Sequence, residues 1–284
     1  MSSGKLRELR GRIRSVISIQ QTTRAMRMIA AVKLRKAQER LIRLRPYRQT
    51  ALELRNVILA QLEEPHFYQL PGQGPKSLYV ILSSSRGLCG AFNSGLVRWL
   101  IPQLPSPSEA DLLVLGKKAY EALRRGPHHL EYQDLFGAKD IAPEAVQHLA
   151  QTLLQRFRDG QVREIVLVYN RFGGVGRSLP TQQVLLPLTE GAPKERDSRM
   201  WFHEPDLPKL LEAFVPWYIE AMLWAAVQES LTAEHAARMV AMQAATDNAE
   251  ELLRTLRLQY NKARQASITK ELLEIVAGAE ALKG

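Results

Sequence analysis

"SLTAEHAARMVAMQAATDNAEELLRTLRLQYNKARQASITKELLEIVA", residues 230–277, holds neither glycine nor proline, and the unbroken run already begins at Trp217. At 1.5 Å per residue, a helix from Trp217 to Ala277 reaches about 90 Å. A helix of that length does not lie on a globular core; it pairs as a coiled coil. Its apolar stripe is traced through Ala233, Ala237, Ala241, Ala245, Ala249, Leu252, Leu256, Tyr260 and Ala263, then Ile268, Leu272, Ile275 and Ala279. Alanine-rich seams let two helices approach closely. Within the run, "AARMVAMQAA" (236–245) is small and apolar on almost every side, yet carries one cation, Arg238.

The partner helix is found at the other end of the chain. Arg12–Arg45 also lacks Gly and Pro, with Leu6, Leu9, Ile13 and Val16 spaced 3,4,3 and Ala30, Leu34, Ala37, Leu41 and Leu44 spaced 4,3,4,3. The polar stretch "SIQQTTRA" separates the two patterns. Helical pattern pauses at Pro46, resumes, and ends before Pro65. In the last helix, Pro216 predicts a break or kink near Val215, not continuity from Lys209.

Between these ends the periodicity changes. "SLYVILSS" (77–84), "DLLVLG" (111–116) and "REIVLVYNRF" (163–172) are short and almost continuously apolar, as strands covered on both faces are. Helical patterns at 91–104, 117–125 and 143–159 separate them, and "TQQVLLPL" (181–188) adds a strand after the turn "RFGGVGRS". Alternation of this kind predicts an α/β fold with a mainly parallel sheet. The expected organisation is an N-terminal coiled-coil helix (1–64), a central α/β, Rossmann-like domain (65–205) and a C-terminal coiled-coil helix (206–284), the two helices antiparallel.

Charge is concentrated at one end. Residues 1–48 carry 14 Lys and Arg against Glu8 and Glu39, while the rest of the chain has 25 cations against 27 anions. An acidic partner for that first segment is implied: nucleic acid, anionic lipid or an acidic protein surface. Nucleic-acid tracking would call for interleaved aromatics, and residues 1–46 contain no Phe, Tyr or Trp. A single cysteine, Cys89, rules out an intramolecular disulfide framework and fits a reducing compartment. No signal-peptide pattern opens the sequence, and Glu220 interrupts the most apolar segment, "FVPWYIEAMLWAAV". A soluble or peripherally attached protein is expected.

Catalytic and cofactor motifs do not emerge. "GLCG" around Cys89 suggests a thiol nucleophile but has no histidine nearby in sequence; a small residue at a tight turn is the simpler reading. "GGVGRS" (173–178) fails the dinucleotide pattern because Leu179 stands at its last glycine position, and "LGKK" (115–118) lacks the upstream glycine of a phosphate loop. The six histidines show no ligand spacing, and His128 and His129 are expected in a solvated turn. No catalytic residue, cofactor or metal is assigned.

Both ends nevertheless resemble one family. "IRSVISIQQTTRAMRMIAAVKLRKAQERL" (13–41) is similar to the N-terminal signature of the γ subunit of F-type ATP synthases, and "ESLTAEHAARMVAMQAATDNAEELLRTLRLQYNKARQASITKELLEIVAGAEAL" (229–282) to its C-terminal signature. "SSSRGLCGAFN" (83–93) resembles the family's short loop after the first strand. The resemblance implies a central-stalk rotor. Its terminal helices would form a left-handed coiled coil inside a ring of α and β subunits. Its α/β domain would sit with the ε subunit on a membrane ring of c subunits, and catalysis would reside on β.

By the same resemblance, Met26, Lys33, Arg35, Lys36, Arg238, Gln265 and Thr269 are the expected contacts with β. The implied location is the cytoplasmic face of a bacterial cell membrane, with membrane contact only through the complex. This sequence departs from the pattern at Ser85, where many relatives have aspartate, at Ala91, where many have a second glycine, and in lacking the two-cysteine insertion of chloroplast relatives. The alternatives are a basic coiled-coil nucleic-acid-binding protein and a stand-alone thiol enzyme.

Overall fold

The computed structural model describes residues 2–137, 141–188, 204 and 206–281, except for the side chains of 2, 3 and 279–281. Ala279, the last position of the expected stripe, therefore falls outside the described side chains. Two long helices, α1 (Ser2–Gln61) and α5 (Leu207–Ala281), enclose in sequence the strands β1 (Ser77–Leu82), β2 (Ala110–Leu115), β3 (His129–Tyr132), β4 (Glu164–Phe172) and β5 (Ser178–Leu186). Helices α2 (Phe92–Leu100), α3 (Lys117–Leu123) and α4 (Pro143–Arg158) connect the strands. The chain divides into two compact units: residues 1–30 with 239–284, and residues 31–238.

The larger unit is built on one sheet of order β3-β2-β1-β4-β5. β1 pairs in parallel with β2 and β4, β2 in parallel with β3, and β5 runs antiparallel to β4 as an edge strand. Covered strands use both faces of their pleat. Leu78, Val80 and Leu82 join a core with α4 and with the parts of α1 and α5 in this unit, while Tyr79 and Ile81 point to α2 and α3. Each fully buried leucine or isoleucine in this arrangement stabilises the fold by about 1.5–3 kcal/mol relative to exposure. That is why the runs read from sequence as continuously apolar.

β3 is the strand the apolar runs do not announce. "HLEY" is an edge segment, exposed at both ends and half-buried at Leu130 and Glu131. His129 begins this strand instead of sitting in a turn, and His128 packs its Nε2 2.9 Å from the Pro105 carbonyl oxygen. Parallel pairing with β2 supplies backbone partners that local composition cannot reveal.

Neither proline ends its helix. α1 runs through Pro46 and α5 through Pro216, so the expected pause and the expected loss of continuity from Lys209 do not occur. A helix-interior proline removes one backbone bond and costs about 3 kcal/mol. Flanking burial offsets it: Ala51 follows Pro46, and Val215, Tyr218 and Ile219 surround Pro216, all four at most 1% exposed. This part of α5 also contains its most hydrophobic stretch. An 18-residue window reaches a mean hydropathy of 1.4, which by length and composition alone suffices for a membrane span, but 61% of it is buried within the fold. That is the behaviour of a core helix.

The smaller unit is an antiparallel pair of helices. Arg10 donates to the Tyr260 hydroxyl at 2.8 Å, Thr23 accepts from Thr246 at 3.0 Å, and Arg27 donates to Gln243, so each advance along α1 meets a retreat along α5. On α5 Met242, Thr246, Ala249, Leu253, Leu256 and Ser267 are buried in this unit, and half-buried Tyr260 and Ala263 fall between the last of them. Their alternating steps of four and three are a heptad seam, the pattern that produces a left-handed supercoil. The stripe expected from sequence departs from it: Leu252 is 48% exposed, whereas Leu253 is 4% exposed. On α1 the polar stretch keeps the phase, with half-buried Gln20, Thr23 and Arg27 continuing the spacing of Leu9, Ile13 and Val16.

Candidate functional site

The loop after β1, Ser83–Ala91, is a knot of short hydrogen bonds. Ser84 N–H and Oγ both reach Asn93 Oδ1, at 3.0 and 3.1 Å, and Ser84 Oγ donates to the Arg86 carbonyl at 2.7 Å. Ser83 Oγ donates to the Gly116 carbonyl at 3.1 Å and accepts from Ala119 N–H at 3.2 Å. Gly116 is required there, because its φ is +149° and a Cβ would stand 2.2 Å from Ser83 O. The glycine of "LGKK" thus serves close packing of β2 against the loop. Leu88 adopts φ +62°, unusual for a non-glycine residue, and projects with 61% exposure.

Two of the sequence departures gain a physical account. Ser85 Oγ donates to the Asp134 carboxylate, a link that an aspartate at position 85 would turn into repulsion between two carboxylates. Ala91 has φ −83° and needs no glycine. Cys89 is 2% exposed, and burial pushes its thiol up, away from the thiolate a nucleophile requires. It packs with Phe92 and Ala233, which answers to the small-residue reading of "GLCG".

α5 meets this loop through Arg238. Its Nη1 pairs with Glu234 Oε1 at 2.7 Å, one turn back, with side-chain exposures of 16% and 9%. Its Nη2 and Nε donate to the Gly87 carbonyl at 3.2 and 3.4 Å, and Nη2 also reaches the Arg86 carbonyl at 3.5 Å. The lone cation of "AARMVAMQAA" is therefore engaged within its own chain. Burial pushes the Glu234 carboxyl up, and Arg238, then Lys33 and Arg86, pull it back.

The neighbouring His235 responds oppositely. Burial, then Arg238 and Lys33, lowers it to about 4. A depressed imidazole stays neutral in the fold while the unfolded chain takes up a proton below about 6.5. Stability from this site is therefore complete above about pH 6.5 and is lost as pH falls toward 4, by about 2–3 kcal/mol. We expect His235→Gln to remove that acid-side slope from denaturant midpoints measured between pH 7 and pH 4. An unchanged slope would refute the assignment.

The other expected contact residues are divided between the two units. Lys33 faces Glu234 and His235 on the larger unit. Arg35 bonds Glu39 at 3.2 Å across one helical turn and is 84% exposed, and Lys36 is exposed. On the smaller unit Met26 is 37% exposed, and Gln265 and Thr269 are exposed on successive turns, with Thr269 Oγ1 on the Gln265 carbonyl at 3.0 Å. Glu229, which the sequence gave no reason to single out, accepts the Phe172 N–H at 2.8 Å. Among the described residues, no three His, Cys, Asp or Glu side chains are grouped to hold a metal.

Comparison with known proteins settles the family. The protein-family model described as ATP synthase matches residues 5–282. The ATP synthase gamma chain of Amoebophilus asiaticus is 37% identical over 287 residues, covering 98% of both chains. That of Chlorobium chlorochromatii is 37% identical over 292 residues, covering 98% of this chain and 99% of its own. This chain belongs to the ATP synthase gamma-chain family. Solved structures agree in fold: the Euglena gracilis mitochondrial ATP synthase rotor in rotational state 1 gives a TM-score of 0.66 at 21% identity, over 94% of this chain and 99% of that one. A chain of the same organism's OSCP/F1/c-ring structure gives 0.71 at 22% identity, over 99% and 95%. Membership of the gamma-chain family leaves the nucleic-acid alternative without support and makes the chain a subunit of a membrane-bound complex.

Proposed function

We propose that this chain is the central-stalk rotor that carries rotation of a c-subunit ring to the catalytic β subunits of an F-type ATP synthase. The observation that carries this reading is the near full-length match to ATP synthase gamma chains, which includes both terminal helices. The smaller unit suits a shaft. Its seam is internal, and its outside presents the apolar side chains of Met28, Ile29 and Val240 together with exposed Ala244. A shaft that turns past three equivalent neighbours needs such a surface, because strong specific contacts would trap one angle.

On this reading ATP chemistry takes place on β, and this chain works at the cytoplasmic face of a bacterial cell membrane, touching the membrane only through the complex. α and β subunits surround the coiled coil, and the ε subunit and c-ring meet the α/β domain. Met26, Lys33, Arg35, Lys36, Gln265 and Thr269 are assigned as contacts with β. Arg238 joins them at a cost, since reaching β means leaving Glu234 or the Gly87 carbonyl. The test is assembly of the full chain with α and β subunits, a probe fixed to the α/β domain and Mg-ATP supplied. Stepwise probe rotation is expected. A chain that fails to enter an α/β hexamer would refute the reading.

A further inference from the structure

In the larger unit, the connections β1–α2–β2 and β2–α3–β3 cross one face of the sheet, and β3–α4–β4 crosses the other. β1 and β4 are neighbours at the point where the connections diverge. Open α/β sheets place ligands in the crevice beyond the C-terminal ends of such strands. In this chain the groups at that end are taken up by α5. At the end of β4, Phe172 N–H donates to Glu229 Oε2 at 2.8 Å. In the loop after β1, the Gly87 carbonyl receives Arg238 at 3.2 Å. Between them Ala233 lies buried against Cys89 and Phe92, with Ala237 and Phe172 packed alongside.

The spacing explains the fit. Glu229, Ala233 and Ala237 recur every fourth residue and form one stripe along the helix. The two alanines permit close approach, but a smooth contact alone resists sliding and turning weakly. Glu229, at one end of the stripe, and Arg238, the residue after its other end and on a different side of the helix, make hydrogen bonds nine residues apart, about 13 Å along the axis. A slip of one residue would rotate each end about 100° from its partner. Arg238 is also the last residue of this unit on α5.

We propose that residues 229–238 of α5 are an internal ligand of the switch-point crevice, and that Glu229 and Arg238 are positioning residues locking the shaft helix to the sheet against turning. The mechanical half of this proposal rests on the rotor reading above. Torque delivered to the α/β domain then enters α5 through this clamp.

Glu229→Ala in the full chain tests it without touching any residue assigned to β. Amide exchange at Phe172 is expected to quicken by about tenfold or more. Glu229→Gln, which keeps an acceptor oxygen at the same reach, is expected to restore protection. In the assembled complex Glu229→Ala is expected to hydrolyse ATP while pumping fewer ions per ATP. Unchanged exchange at Phe172 would overturn the clamp, and faster exchange with wild-type pumping would overturn its mechanical role. Failure of the wild-type chain to assemble would remove the rotor reading and the mechanical half together, and the exchange data would still decide the clamp.

Discussion

Arg238→Ala is expected to destabilise the folded chain by about 3–5 kcal/mol before any partner is present, because it strands a buried carboxylate. Glu234 keeps a 9% exposed side chain and loses the guanidinium 2.7 Å away. Two backbone carbonyls, of Arg86 and Gly87, lose their donor at the same time. The pH dependence carries the signature. Glu234 already sits above the ordinary carboxylate range, with Arg238 the largest influence holding it down. Without Arg238 it rises further. A carboxyl raised in the fold contributes stability that is full below its unfolded value and lost as pH climbs through the folded one. The variant should therefore weaken as pH rises from about 5 toward neutrality, and more steeply than wild type.

Glu234→Gln combined with Arg238→Met is expected to recover most of the loss, since a well-packed uncharged pair replaces a buried ion pair at little cost. Urea denaturation of wild type, Arg238→Ala and the double variant across pH 5–8 would decide it. In an assembled complex the same Arg238→Ala is expected to slow turnover, by up to one to two orders of magnitude if the contact acts in the rate-limiting state. A variant of wild-type stability that slowed only in the complex would show that Arg238 acts on β alone.

The intrachain partners of Arg238 show where sequence reading stops. The residue is conspicuous in the sequence because it interrupts a small apolar run. Its acceptor, the Gly87 carbonyl, lies 151 positions away, and no local pattern announces a bond to a backbone oxygen. Glu229 escaped notice for the same reason: a glutamate on a long helix looks solvated until the end of β4 is placed beside it. By contrast β1, β2 and β4 were legible because burial on both faces demands apolar residues at every position. β3 was not, since an edge strand four residues long is held by backbone pairing more than by side chains. Pro46 and Pro216 misled for an energetic reason: their penalty is local, and the packing that offsets it is tertiary.

Leu253→Ala should cost about 2–5 kcal/mol, and Leu252→Ala no more than about 0.5 kcal/mol, although the two are neighbours in the same helix. A stripe taken at every fourth residue precesses about 40° per step on a helix of 3.6 residues per turn. From Ala233 to Ala249 that drift carries it well around the helix, and a line projected onward reaches Leu252. Ala233 is buried and Ala237 half-buried on the side facing the loop after β1, while the seam with α1 in the smaller unit follows alternating steps of four and three. Those steps pass through Ala249, Leu253 and Leu256, which are 6%, 4% and 6% exposed. Truncating Leu253 leaves a cavity between two helices that cannot close without parting the neighbouring layers. Truncating Leu252 removes a side chain already 48% in solvent. Amide exchange across residues 246–260 in each variant would separate the two. Equal protection in both would mean that the helices do not meet along the 3.5-residue seam, and the supercoil hand inferred from it would fall as well.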